Sequence, residues 1–447
     1  MALTGLDIYK QLPKENCKEC GLPTCLAFAM KVASGQVGLE ECPRLTDDAR
    51  GELDEASAPP QRLVTIGPDP DPVQIGQETV LFRHDEKFHH PPAVALTVSD
   101  SLDESALGDL CTEFKALEFT RVGETLRPTM VALINDSGSA DTMSAAAQML
   151  HSALSVPMVL LSDKIDALSA AATGPLSGAR PLLMCTGEAS ADDLAALAKQ
   201  AGAPICVAGD AETVADRVEA LGKLEVKDVV ISPGRTSTAE ALQFLTQTRR
   251  AALKSKFRPL GCPVLVLADG DDKVAGMLDA CAFVCKYAGV VVSNAWDGHL
   301  LVPILTTRQN IYTDPQKPVQ VEPKLYEIGE VTPQSPLLVT TNFSLSYYSV
   351  EAEVETARIP CYILAVDTEG TSVLTGWAAD KFNPETITNA LTANNAGDKV
   401  EHHTVIIPGH VAVISASLAE ESGWKVLVGP KEATGIGPYL KSDWNAL

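Results

Sequence analysis

The sequence predicts an α/β protein in three unequal parts: a small N-terminal four-cysteine module, a central TIM-type (β/α)8 barrel, and a C-terminal Rossmann-like α/β domain. Three observations lead there. Four of the eleven cysteines fall before residue 43 of the 447, and beyond them short runs rich in β-branched residues alternate eight times with Ala/Leu-rich stretches of helical length. Residues 336–447 then repeat the alternation, with glycines and hydroxyls after each strand. Length alone gives roughly three domains.

Composition narrows the class. With 45% hydrophobic and 21% charged residues the chain can bury a core, which excludes wholesale disorder. Thirty-five Lys and Arg face 58 Asp and Glu, a formal charge of −23 that repels nucleic acid and anionic membranes. No basic segment leads into an apolar one at the start, and no apolar run approaches the ~18 residues of a spanning helix. The expectation is a cytoplasmic protein with neither a nucleic-acid nor a membrane partner.

Taken in order, the module covers residues 1–60 and is spaced Cys17-x2-Cys20-x4-Cys25-x16-Cys42-Pro43. Four thiolates suit a [4Fe–4S] cluster, one per iron, and a proline after the last ligand also occurs in ferredoxin runs. Four-thiolate zinc uses the same sulfurs, although structural zinc usually shows two C-x2-C pairs and only one is present. Pro23 and Gly35 bracket a predicted helix over Cys25–Ala33, whose N-terminus favours an anionic cluster. Residues 61–92, which continue the proline-rich text of Ala56–Pro60 through Gly67–Pro72, read as a linker.

The barrel is placed at 93–310, with strands at Ala93–Val98, Thr129–Ile134, Pro157–Leu161, Pro181–Cys185, Pro204–Val207, Asp228–Ile231, Pro263–Leu267 and Gly289–Val292. A doubly wound sheet satisfies the same pattern, because a sequence does not show closure. Asn135-Asp136 and Asp269–Asp272 follow strands, on the face where barrel enzymes keep active sites; acidic loops there also serve merely to solubilise. Cys185, Cys206, Cys262 and Cys361 sit in apolar runs and read as small buried hydrophobes, as do Cys281 and Cys285.

Residues 311–335 read as a connecting segment. In the C-terminal domain, strands at Leu337–Thr340, Cys361–Val366, Thr404–Ile407 and Lys425–Val428 form a parallel sheet, with helices at Ser344–Thr356, Pro384–Ala393 and Val411–Glu420. Thr340–Asn342, Asp367–Ser372, Pro408–His410, and Gly429-Pro430 leading to Thr434–Pro438 follow the strands. Open sheets bind ligands at strand carboxyl ends, so these loops are a candidate cofactor crevice; ordinary turns use the same residues. Dinucleotide and P-loop signatures are missing.

With these parts in order, the chain resembles the family of large (gamma) subunits of the corrinoid iron–sulfur protein of the acetyl-CoA (Wood–Ljungdahl) pathway. The most specific match is Asn16-Cys-Lys-Glu-Cys-Gly-Leu-Pro-Thr-Cys25 with Glu41-Cys42-Pro43. The resemblance implies a methyl carrier rather than a self-sufficient enzyme. In that family the Co(I) corrinoid takes a methyl group from methyltetrahydrofolate through a methyltransferase and passes it, as methyl-Co(III), to acetyl-CoA synthase/CO dehydrogenase. A [4Fe–4S] cluster reduces Co(II) that forms by oxidation, and a small subunit completes a heterodimer.

Carried onto this sequence, the cluster ligands are Cys17, Cys20, Cys25 and Cys42. The corrinoid contacts are Thr340, Ser346, Gly370, Thr371, Ser372, Val373 and Ala433, and no side chain is catalytic because the chemistry is at cobalt. The D-x-H-x-x-G signature of a histidine-ligated corrinoid is missing: Asp297-Gly-His299 is nearest, with Val302 where glycine should stand. The expectation is cobalt without a protein histidine ligand. Two other readings fit parts of the pattern: a barrel oxidoreductase fed by the cluster at the Asp136 and Asp272 face, and a zinc-stabilised interaction protein.

Overall fold

The computed structural model describes residues 5–33, 36–46, 49, 53 and 59–444. Residues 56–58 of the proline-rich text that precedes the expected linker lie outside the described residues. Helices Gly5–Gln11 and Cys25–Ala33 pack Ile8, Leu12, Phe28 and Ala29 against Cys42, Leu45 and Leu53, a core that belongs to the module alone.

Residues 61–92 are not a free linker. They carry an antiparallel hairpin, β1 (Leu63–Ile66) and β2 (Val73–Gly76). Its residues Val64, Ile66 and Ile75 are fully buried in the same cluster as the inward side chains of the barrel. The proline-rich text spans only the turn, while the alternating apolar residues around it close the barrel floor. Burying each such side chain is worth about 1.5–3 kcal/mol. Arg62 N–H donates to the Gly261 carbonyl at 2.7 Å, which ties the hairpin to the loop before the seventh barrel strand.

The barrel comprises β3 (Ala93–Ser99), β6 (Met130–Ile134), β7 (Met158–Ser162), β8 (Leu182–Cys185), β9 (Ile205–Ala208), β10 (Val229–Ser232), β11 (Leu265–Ala268) and β12 (Val290–Ser293), all parallel. The sheet order runs from β10 round to β11, and a parallel bridge between Ile231 and Val264 joins those two ends. The period of two sorts the side chains. Ala93, Ala95, Met130 and Ala132 point into the barrel, while Val94, Leu96, Val131 and Leu133 meet the helical layer outside. Between the first two barrel strands, the short hairpin β4 (Phe119–Arg121) and β5 (Glu124–Leu126) reaches the C-terminal domain. Gly123 at its tip (φ +72°) lies so close to the Tyr348 hydroxyl that a Cβ there has no room.

The C-terminal sheet is mixed. Its order is β13 (Leu325–Ile328), β15 (Cys361–Val366), β14 (Leu337–Thr341), β16 (Thr404–Ile407) and β17 (Lys425–Val428). The last four are parallel, as expected, but β13 lies antiparallel along the β15 edge. Residues 311–335 therefore supply an edge strand, whose Leu325 is buried in the domain core. The segment expected as the helix Val411–Glu420 begins instead as a 3-10 turn over Gly409–Ile414, and the α-helix covers Ser415–Ser422.

Candidate functional site

Strand order decides where the C-terminal domain opens. From β14 the chain crosses to β15 on one side and later to β16 on the other, so the connecting loops diverge at the carboxyl end of β14. The β14–β16 ladder contains the single pair Leu338 and Ile406, whereas β14 pairs with β15 over five residues. The strands part there and leave a cavity of about 370 Å³. Leu338, Val339, Ile406, Ile407 and Ile436 form apolar wall, and the helix Ser344–Ala357 lays Leu345, Ser346, Ser349 and Val350 along one side.

Thr340, Ser346, Ser372, Val373 and Ala433 of the sequence-derived set all line this cavity. Thr340 is 1% exposed and lines the cavity from the carboxyl end of β14. Ser372 Oγ donates to Thr375 Oγ1 at 3.0 Å. Gly370 and Thr371 are not in the lining. Gly370 (φ +72°) packs on Pro318 and Gln320, and its N–H donates to Asn342 Oδ1 at 3.0 Å. Thr371 Oγ1 donates to the Thr368 carbonyl. The two shape the loop that presents Ser372 and Val373.

Phe343, Leu345, Ser349 and Val350 complete the walls and were missed from sequence, while Ile436 belongs to the Thr434–Pro438 segment singled out there. The i, i+3, i+4 spacing of Ser346, Ser349 and Val350 is the signal that a helix face turns toward the cavity. His410 also lines it. His299, by contrast, begins the barrel helix Gly298–Tyr312, outside the C-terminal domain.

In the module, Cys17, Cys20 and Cys25 are half-buried and Cys42 is buried. Cys20, Cys25 and Cys42 share one apolar cluster. Asn16 and Lys18 adopt left-handed backbone, which folds the loop so that Asn16 Oδ1 accepts from Cys25 N–H at 2.8 Å. Thr24 Oγ1 accepts from Ala27 N–H, so two amides at this helix start are already satisfied and the dipole argument is weakened. Arg44 clamps the return segment to the cysteine loop, bonding Glu19 at 2.6 Å and Glu15 at 2.8 Å; the guanidinium holds the Glu19 carboxyl below its ordinary value. Among the described residues no three ligand-type side chains converge as a metal site. The donor set is nevertheless chemically apt: four thiols in one module, with the carboxylates flanking Cys17 committed to Arg44.

The other cysteines divide. Cys185, Cys206, Cys262 and Cys361 are buried, and burial pushes the Cys262 thiol up to about 11 and that of Cys361 to about 12, too high for thiolate chemistry. Cys285 departs from the expectation of burial and is exposed.

At the carboxyl end of the barrel strands lies a second cavity, of about 610 Å³. Asn135, Ser137 and Arg235 of its lining are bonded to acidic neighbours. Buried Asp100 accepts from Asn135 Nδ2 (2.6 Å), Ser137 N–H (2.8 Å) and Ser137 Oγ (2.6 Å), and Arg235 grips Asp269 bidentately at 2.7 and 2.8 Å. Asp272 caps the helix Lys273–Cys285. Of the acidic residues singled out in the sequence, Asp269 and Asp272 are thus held in structural bonds, whereas Asp136 is exposed in the cavity lining.

A parallel barrel, a four-cysteine module and a mixed-sheet domain with a strand-end cavity define a three-part α/β protein. Comparison with known proteins then specifies it. The model of the family described as CO dehydrogenase/acetyl-CoA synthase delta subunit matches residues 63–440, and the model of an Fe–S cluster family matches residues 12–44. The corrinoid/iron–sulfur protein large subunit of Moorella thermoacetica is 43% identical over 99% of each chain. The acetyl-CoA decarbonylase/synthase complex gamma subunit of Methanothermobacter thermautotrophicus is 33% identical over 98% of this chain and 99% of its own, and that of Methanopyrus kandleri 32% identical over 99% and 98%. The chain belongs to this family of corrinoid/iron–sulfur protein large subunits and gamma subunits.

Proposed function

We propose that the C-terminal cavity holds part of a corrinoid, that Cys17, Cys20, Cys25 and Cys42 ligate a [4Fe–4S] cluster, and that the chain is a methyl carrier of the acetyl-CoA pathway. When bound, the corrinoid supplies a cobalt that takes up and releases a methyl group, and the cluster supplies single electrons. The protein's own residues bind and orient. Thr340 and Ser346 offer hydroxyls to the ligand's amide groups, Ser372 and Val373 approach from the neighbouring loop, and Ala433 closes the far side. Gly370 and Thr371 act through that loop. The apolar walls exclude water from the lower part of the site.

On this reading the partners are a small subunit, a methyltetrahydrofolate methyltransferase and acetyl-CoA synthase/CO dehydrogenase, and the compartment is the cytoplasm. Among the described residues no helix is long and apolar enough to cross a membrane. Cobalt has no protein histidine ligand; an optical spectrum of histidine-ligated cobalt refutes that part.

The observation that carries the reading is the cavity at the carboxyl end of β14, where strand order reverses and Thr340, Ser346 and Ser372 stand in its lining. Thr340→Val keeps the shape and removes one hydrogen bond, worth about 1 kcal/mol. Corrinoid-free protein titrated with cobalamin is expected to bind roughly five- to tenfold more weakly in the variant. Equal affinity of variant and parent refutes the assignment of this cavity.

A further inference from the structure

We infer that a third cavity, beneath the barrel at its join with the C-terminal domain, binds a phosphate monoester, with the anionic head on Arg308 and Lys317 and the organic body on an apolar wall. The cavity holds about 570 Å³, within the roughly 300–1,000 Å³ usual for small-molecule sites, and shares no lining residue with the two already described. It lies at the amino-terminal end of the barrel strands: Pro91 and Pro92 lead into β3, and Glu124, Thr125 and Leu126 form β5 of the short hairpin. Lys317 and Val319 reach it from the segment that leads into the C-terminal domain, where the Val319 carbonyl accepts from Ser344 N–H at 2.9 Å.

Arg308 is what calls for an anion. It is partly buried near the end of the helix Gly298–Tyr312, and its Nη2 donates to the Arg127 carbonyl at 3.0 Å. Burial pulls its pKa down to about 10, and no carboxylate offsets that fall. A guanidinium taken out of water without a countercharge is unfavourable, and an arriving phosphate, whose oxygens match the planar fork, relieves the penalty. Lys317, exposed, adds a second positive charge to the lining. Both carboxylates of the lining are engaged elsewhere: Glu124 Oε2 accepts from Gln309 Nε2 at 2.8 Å, and Asp314 Oδ1 from Gln316 N–H at 2.8 Å. The neighbouring arginines bond neutral oxygens, Arg121 Nη1 to Gln309 Oε1 at 2.5 Å and Arg83 Nη2 to the Thr313 carbonyl at 3.0 Å. In a chain of net charge −23, this is a local field that attracts an anion from solution. Two cations suit a doubly charged phosphate better than a carboxylate, and Val73, Pro91, Pro92, Leu126 and Val319 offer apolar surface to the group that the phosphate carries.

Phenyl phosphate, inorganic phosphate and benzoate separate head from body and give a direct test. The full-length chain is titrated calorimetrically with each at constant ionic strength, for the parent, Arg308→Met, Lys317→Met, and Arg308→Lys as the conservative control. The parent is expected to bind phenyl phosphate saturably and about tenfold more tightly than either inorganic phosphate, which lacks the apolar body, or benzoate, which has a single charge. Arg308→Met is expected to weaken phenyl phosphate binding by at least about tenfold and Lys317→Met by roughly threefold, while Arg308→Lys retains part of the affinity. A parent that does not bind phenyl phosphate saturably, a benzoate affinity equal to that for phenyl phosphate, or unchanged binding in Arg308→Met overturns the inference. Lys317 is exposed, so Lys317→Met gives a folded variant even where Arg308→Met does not, and unchanged binding there overturns it equally.

Discussion

Arg249 and Glu78 show what single residues cost when buried. Their side chains are 3% and 2% exposed, beneath the barrel where the segment after β2 passes. Glu78 Oε1 accepts from the His89 and His90 amides at 2.9 Å each, while Oε2 lies 4.0 Å from Arg249 Nη1 with no hydrogen bond. The guanidinium lies over the rings of Tyr287 (4.7 Å) and Phe88 (5.8 Å), and Nη1 donates to the Val80 carbonyl. Burial lowers the pKa of Arg249, so the cation is held at a cost. Arg249→Met leaves a buried carboxylate without its countercharge and is expected to destabilise the protein by about 3–5 kcal/mol. Adding Glu78→Gln is expected to recover part of that loss, as read from urea unfolding of parent, single and double variants. Neither residue was legible as a pair, since 171 positions separate them and only the fold brings the strap under the helix Thr238–Leu253.

At the scale of elements, much was legible because periodicity and punctuation agree. The helix Ala191–Ala201 has Ser190 before it and Asp193 at the third position, and the structure closes that capping box; the helix Thr238–Leu253 has Ser237 and Glu240 in the same relation. Glu240 accepts from Ser237 N–H (3.1 Å), Ser237 Oγ (2.7 Å) and Thr236 Oγ1. These bonds, that from Thr236 foremost, lower its pKa from 4.5 to about 2. A depressed carboxyl contributes stability that is complete above pH 4.5 and lost as pH falls through about 2. Glu240→Gln is therefore expected to be less stable than the parent at neutral pH, with the gap narrowing below pH 4.5 and closing near 2; acid titration of the denaturation midpoint measures it. Two of the elements misread from sequence share one cause. The hairpin β1–β2 and the edge strand β13 are short and lie among prolines, and what orders them is contact with distant parts, the barrel interior in one case and β15 in the other. Local pattern does not report such contacts.

For the whole molecule, the three-part division reflects where the cores are. The cluster around Phe28, Cys42 and Leu53 draws only on residues of the module, whereas the chain from Pro59 onward is tied to the barrel: Arg258 Nη1 donates to the Pro59 carbonyl at 2.5 Å and Gln61 Nε2 to that of Cys262 at 3.4 Å. The candidate site was legible to the same depth. Four thiols close in sequence announce themselves, and hydroxyls after strands mark the crevice, but its apolar walls come from β14, β16 and helix faces whose meeting depends on strand order. The unequal division of cores has a consequence for function. If electrons enter through the module and the methyl group is carried by the C-terminal domain, the two capacities are separable by cutting at residue 60. A chain of residues 61–447 keeps the barrel floor and both larger cores, so it is expected to unfold cooperatively and to bind cobalamin within about twofold of the full-length chain. It is also expected to lose all protein-bound iron and the reductive reactivation that depends on it. Iron and sulfide assays, cobalamin titration and thermal unfolding of the two chains decide the matter: weakened cobalamin binding in the shorter chain means that the module helps to build the cavity, and iron retained there means that the ligands lie outside the four-cysteine set.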